Sequence, residues 1–176
     1  MGRGFLKLAA LVLLAAAAPE MRPEGAPGAL TAKALAVIVN PRNPTTNVSF
    51  NELRSYLKLE RGFWPDKTRC ELLLRPSNSL EMEILFAKVY RMSSDELRKY
   101  WVGKVFRGEI SAKPSVVPTV ASACSRVQKI LGALTVMLAD EVPEGVRVLT
   151  IDGKKPGDEG YPLFREEEDG DRTASP

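Results

Sequence analysis

The chain has 176 residues, 44% of them apolar and 27% charged, with a formal net charge of +3, a profile that fits one globular domain with a sizeable core. The charge is small and Lys and Arg are interspersed with Asp and Glu, which argues against nucleic acid as a partner. There is no histidine and the cysteines number two, which excludes Ser-His and Cys-His nucleophile pairs, histidine metal sites and four-thiolate zinc; no loop has the spacing of a calcium site, so no metal or other cofactor is expected.

Residues 1–18 carry Arg3 and Lys7 followed by a small, apolar run over 8–18, the layout of a cleaved signal peptide. That run is shorter than the roughly 20 residues of a permanent membrane helix, and Ala15-x-Ala17 meets the small-residue rule for cleavage. The expected location is therefore periplasmic or secreted. Residues 19–31 read as a flexible leader and 32–163 as the ordered domain. Residues 164–176, with Glu166, Glu167, Glu168, Asp169 and Asp171, read as a disordered acidic tail.

Within the domain, the apolar run 34–40 suits a strand covered on both faces. Ser49-x-x-Glu52 forms a capping box, with Val48 stapling onto Leu53, and opens a helix whose apolar face is Phe50, Leu53, Tyr56 and Leu57. Residues 70–74 read as a second buried strand. The turn Arg75-Pro76-Ser77-Asn78-Ser79 leads into a helix with the stripe Met82, Leu85, Phe86 and Val89. A second box, Ser93-x-x-Glu96, opens a helix carrying Tyr100, Trp101 and Phe106 that stops at Gly108. Residues 109–119 read as a loop, followed by a helix through Cys124, Val127 and Ile130 that ends at Gly132, and by strands at 133–138 and 146–151. Strands alternating with helices predict an α/β layered domain with parallel pairing.

In chain order, Val37-Ile38-Val39-Asn40-Pro41, Phe50-x-x-Leu53, Trp64-Pro65-Asp66, Met92-Ser93-x-x-Glu96-Leu97, Tyr100-Trp101 and Phe106-x-Gly108 resemble the phosphate-type periplasmic solute-binding proteins, in particular their small exported phosphate-binding-protein-like domains. Gly132-Ala133-Leu134, Ile151-Asp152-Gly153 and Gly160-Tyr161-Pro162-Leu163 extend the likeness over most of residues 34–163. The resemblance implies a type II, Venus-flytrap-type α/β fold, in which backbone N–H groups, hydroxyls and an arginine hold an oxyanion between two lobes for an ABC-type transporter or a sensor. Full-length members carry another lobe before the matching region. The chain is accordingly expected to be truncated to little more than one lobe, and a homodimer would restore the second wall.

Arg75, Ser77 and Ser79 stand where the family's arginine and hydroxyl-rich helix start stand, and are the candidate ligand contacts for phosphate or a related oxyanion. Arginine suits the role because its planar fork matches two oxygens. The alternative is that Ser77 to Ser79 simply cap a helix and that the domain is a degenerate scaffold that keeps the fold without the ligand. Glu81 and Glu83 occupy the first helical turn, where they already offset the dipole. Cys70 and Cys124 fit either a disulfide or two separate buried thiols. Phe63, Trp64, Tyr100, Trp101 and Phe106 are read as core. The carboxylates Asp66, Glu71, Asp95 and Glu96 are scattered, with no acid–base pairing among them, so no enzyme is expected.

Overall fold

The strand Lys33–Val39 (β1) points its side chains alternately to two sides, and both sides are buried: Leu35, Val37 and Val39 join one apolar core, Ala36 and Ile38 another. This is the reason the segment has no polar alternation. The computed structural model describes residues 33–165. The predicted signal peptide, the leader and residues 166–176 of the predicted tail lie outside the described residues.

Seven strands form one sheet, in the order β2(Asn47–Val48), β6(Arg147–Ile151), β1, β5(Ala133–Leu138), β3(Glu71–Leu74), β4(Ser115–Val116), with β7(Phe164–Arg165) paired to β1. Leu134 and Val136 of β5 and Leu72 and Leu74 of β3 share the first core with β1, whereas Ala133, Met137 and Leu73 share the second. The helices α1(Phe50–Leu57), α2(Leu80–Leu85) and α3(Ser94–Phe106) send Leu53, Tyr56, Leu57, Met82, Leu85, Leu97 and Trp101 into the first core. On the opposite face, α4(Val120–Lys129) contributes Ala123, Cys124 and Val127. The result is an α/β/α sandwich. Among the described residues, no helix is long and apolar enough to cross a membrane.

The sheet is mixed, which corrects the expectation of parallel pairing. β3 runs parallel to β4 and β5, and β2 to β6, but β1 is antiparallel to β5, β6 and β7. The parallel rule governs adjacent strands joined through a crossover helix; it holds for β3, β4 and β5, with α2, α3 and α4 between them in sequence. It does not bind β1, which is inserted between β5 and β6. Residues 139–146 return from β5 to β6 without an α-helix, packing Ala139, Val142 and Val146 on the α4 face.

Local chemistry fixes the helix ends as expected at two places. Ser49 with Glu52 and Ser93 with Glu96 form reciprocal capping boxes, and Gly108 follows α3 with φ of 71°, a conformation glycine adopts without a Cβ penalty. Thr119 with Ser122 caps α4 in the same way. The helix after Ser79 is interrupted: α2 gives way to a π-helical segment Phe86–Tyr90, in which Val89 and Tyr90 are both buried.

Two other expectations are revised, and one open alternative is resolved. Helix α4 does not run to Gly132 but ends at Lys129, capped by Ile130. Gly132 has another role: a Cβ there would sit 1.9 Å from the Arg69 carbonyl oxygen, and the Gly132 carbonyl accepts from Glu71 N at 3.0 Å and Trp64 Nε1 at 3.0 Å. Trp64 and Trp101 are core residues, but Phe63 is 59% and Phe106 92% exposed. Phe106 lies about 140° around the helix from Trp101 at 100° per residue, so the two do not share a face. Finally, Cys70 and Cys124 are free buried thiols, the first in the core beneath α1 to α3, the second in the core beneath α4. The sheet separates them, and a disulfide needs Cα atoms within about 7 Å.

Candidate functional site

At the carboxyl end of β3 the buried Leu74 gives way to Arg75, and the chain turns through Pro76, with Ser79 N donating to the Pro76 carbonyl at 2.9 Å. Ser79 is the N-cap of α2: its hydroxyl accepts from Met82 N at 3.3 Å. Glu81 folds back from the first turn to take the Arg75 Nε hydrogen bond at 3.0 Å, and Arg75 Nη1 donates to the Val117 carbonyl at 3.2 Å. The ion pair is largely buried, with side-chain exposures of 15% for Arg75 and 6% for Glu81. Val117 is itself tied to β3 by its N–H on the Leu74 carbonyl at 2.8 Å. Arg75 thus clamps the β4 end to the start of α2.

Of the three predicted ligand contacts, Arg75 and Ser77 line one groove; Ser79 does not, its oxygen being spent on the cap. The groove has a volume of about 400 Å³ and opens at the carboxyl ends of β3 and β4, bounded by the β3–α2 turn, by α3 and by the loop before β4. Open α/β sheets commonly bind ligands at the carboxyl ends of their strands. Leu74, Met82, Leu97 and Trp101 are buried beneath it, whereas Ser77, Ser94, Arg98 and Lys113 are exposed at its edge. Trp101 is 9% exposed and meets Tyr90 edge-on at 5.9 Å. Its buried Nε1 has no acceptor among the described residues, unusual for an interior tryptophan.

The charge around the groove has one sign. Arg75, Arg98 and Lys113 line it, and no carboxylate does. Two of the three are engaged elsewhere: Arg75 with Glu81, and Arg98 with Asp95 at 3.1 Å in a highly exposed pair that contributes little in water. Lys113 has no carboxylate partner among the described residues. Arginines and a lysine with hydroxyls between them can hold an anion by charge-assisted hydrogen bonds. Arg98, Ser94 and Lys113 were missed by the sequence reading. Ser94, Arg98 and Trp101 are four and three residues apart on a capped helix, a spacing that places them on one face. Lys113 carries no such signal, because only the fold brings its loop to α3.

No family model matches the sequence, and no curated protein does. Solved structures do match in three dimensions. An ABC-type phosphate transport receptor from Vibrio cholerae superimposes with a TM-score of 0.62 at 18% identity, covering 76% of this chain and 54% of that one. PstS from Borrelia burgdorferi gives 0.61 at 15%, covering 77% and 55%. A putative phosphate ABC transporter substrate-binding protein from Clostridium perfringens, with bound phosphate, gives 0.61 at 14%, covering 76% and 53%. The chain thus spans about half the length of the receptors it resembles, and the described domain has the α/β fold of phosphate-type periplasmic binding proteins over that half.

Proposed function

We propose that this domain binds an anionic solute in the groove at the carboxyl ends of β3 and β4, with Arg75, Ser77, Arg98 and Lys113 as its polar contacts. The observation that carries this reading is the one-signed lining: three cations and no carboxylate around a concave site, whose volume lies within the usual range of ligand pockets. The likeness to phosphate transport receptors makes phosphate or a related oxyanion the first ligand to test, and an ABC-type transporter or membrane sensor the first partner. Export by the N-terminal signal would place the domain where such receptors work, and a second copy could supply the facing wall. It is a binding protein in this reading, with no catalytic step.

Thermal unfolding with millimolar phosphate, against sulfate and chloride, tests it. Ligand at about 100 times its dissociation constant adds roughly 2.7 kcal/mol, a shift of several degrees for a domain of this size. Lys113→Ala, in an exposed loop, should abolish the shift without lowering the unfolding temperature of the free protein. No shift with any of these anions or with an organic anion such as phenyl phosphate overturns the reading.

A second reading is favoured by one specific observation. The Arg75–Glu81 pair and the Ser79 cap satisfy within the protein two of the three groups predicted to meet the ligand, as in a scaffold that keeps the fold for interaction and has lost the anion site. That reading expects no anion to shift the unfolding temperature and expects Lys113→Ala to change nothing.

A further inference from the structure

We infer that the groove takes an organic anion with an apolar body, not a bare inorganic oxyanion; this rests on the reading of the groove as an anion site. The walls of the groove are layered. Leu74, Met82, Leu97 and Trp101 form the buried part, Phe86, Pro114 and Val116 extend the apolar surface outward, and the charged ends of Arg98 and Lys113 stand at the exposed edge. Val116, on the two-residue edge strand β4, is 64% exposed. It presents most of an apolar side chain to water.

An inorganic oxyanion at the bottom would sit against hydrocarbon, where an ion that is not fully paired is strongly disfavoured. The donors needed to pair it are short: Arg75 already commits Nε and Nη1 within the protein. At the edge, the same ion would leave most of the space unfilled. A volume of about 400 Å³ holds roughly a dozen waters at about 30 Å³ each, far more room than one small ion uses. An amphiphilic anion fits both layers at once, with its body against Met82, Leu97 and Trp101 and its charge between Arg98 and Lys113.

Calorimetric titration of the full chain with octanoate and phenyl phosphate, compared with octanol and inorganic phosphate, tests this, with tryptophan emission followed in parallel. The expected result is binding of both organic anions at least tenfold tighter than either control, accompanied by a change in emission. Val116→Asp should weaken octanoate binding at least tenfold and leave the unfolding temperature of the free protein unchanged, since the side chain is exposed. If inorganic phosphate binds as tightly as phenyl phosphate, the apolar-body inference fails and the anion site stands. If octanol binds as well as octanoate, the anion reading fails instead. If none of the four binds, both fail and the scaffold reading takes their place.

Discussion

Replacing Glu81 with leucine removes the carboxylate that neutralises Arg75 while leaving the guanidinium largely enclosed at 15% exposure, with the Val117 carbonyl as its remaining partner among the described residues. Breaking a buried ion pair from one side costs about 3–5 kcal/mol, because a charge is left unpaired. The groove admits some water to Arg75, so the lower end, about 3 kcal/mol, is expected. For a chain of this length that corresponds to a fall of roughly 10 °C in unfolding temperature. Removing both charges together, as Arg75→Met with Glu81→Leu, should bring stability back to within about 1 kcal/mol of the parent, since a buried pair replaced by apolar groups of similar volume is often neutral. Urea unfolding followed by tryptophan emission is the assay: Trp64 and Trp101 are both buried, so each reports loss of the core. A double-mutant cycle should give a coupling of about 2 kcal/mol or more. If Glu81→Leu costs less than about 1 kcal/mol, or if the two losses simply add, the pair is not the clamp described and its refutation extends to the scaffold reading built on it.

Three further outcomes are expected. Gly132→Ala should destabilise by about 1–3 kcal/mol as an overpacked site, because the added Cβ meets the Arg69 carbonyl oxygen at 1.9 Å; chemical denaturation measures it, and an unchanged midpoint would contradict the close approach. Both thiols should be inert in the folded protein: burial, with Glu71 adding to it, pushes the Cys70 thiol up to about 12, and burial also raises that of Cys124. Thiol-reactive dye should label two groups per chain in urea without reductant and almost none before unfolding, whereas failure to label in urea would mean that a disulfide exists. Glu52 and Glu96 are held below the usual glutamate range, chiefly by accepting the backbone N–H of Ser49 and Ser93. A depressed folded-state value means stability that is fully present above the unfolded value of about 4.3 and is lost as pH falls through the lower folded values. Glu52→Gln with Glu96→Gln should therefore flatten the acid limb of the stability profile, measured by urea unfolding between pH 6 and pH 3 on the order of that range; an unaltered slope would show that the boxes do not titrate with folding.

Much of the architecture was legible because it is locally encoded. The continuous apolar run of β1, the capping boxes at Ser49 and Ser93 and the stop at Gly108 are short-range signals, each with its own physical cause. The candidate site was half legible. Arg75 and Ser77 belong to the groove, and the carboxylates at 81 and 83 were visible in the sequence as groups that offset the helix dipole. That Glu81 reaches back to Arg75 was not, because a side chain six residues away meets it only once β3, the turn and α2 are in place.

By itself, the sequence located the four longer strands, the α-helices and the segment in which an anion contact was to be sought, and established the absence of histidine chemistry, all properties of residue type and spacing; it missed the two-residue strands β2, β4 and β7, the last of them in the segment read as a disordered tail. The tertiary structure decided the rest: that β1 enters the sheet antiparallel, that the sheet keeps Cys70 and Cys124 in separate cores, that Phe106 faces water, and that Arg98 and Lys113 join Arg75 around one groove. These are relations between segments far apart in the chain, and no local periodicity records which segments the folded core will bring together.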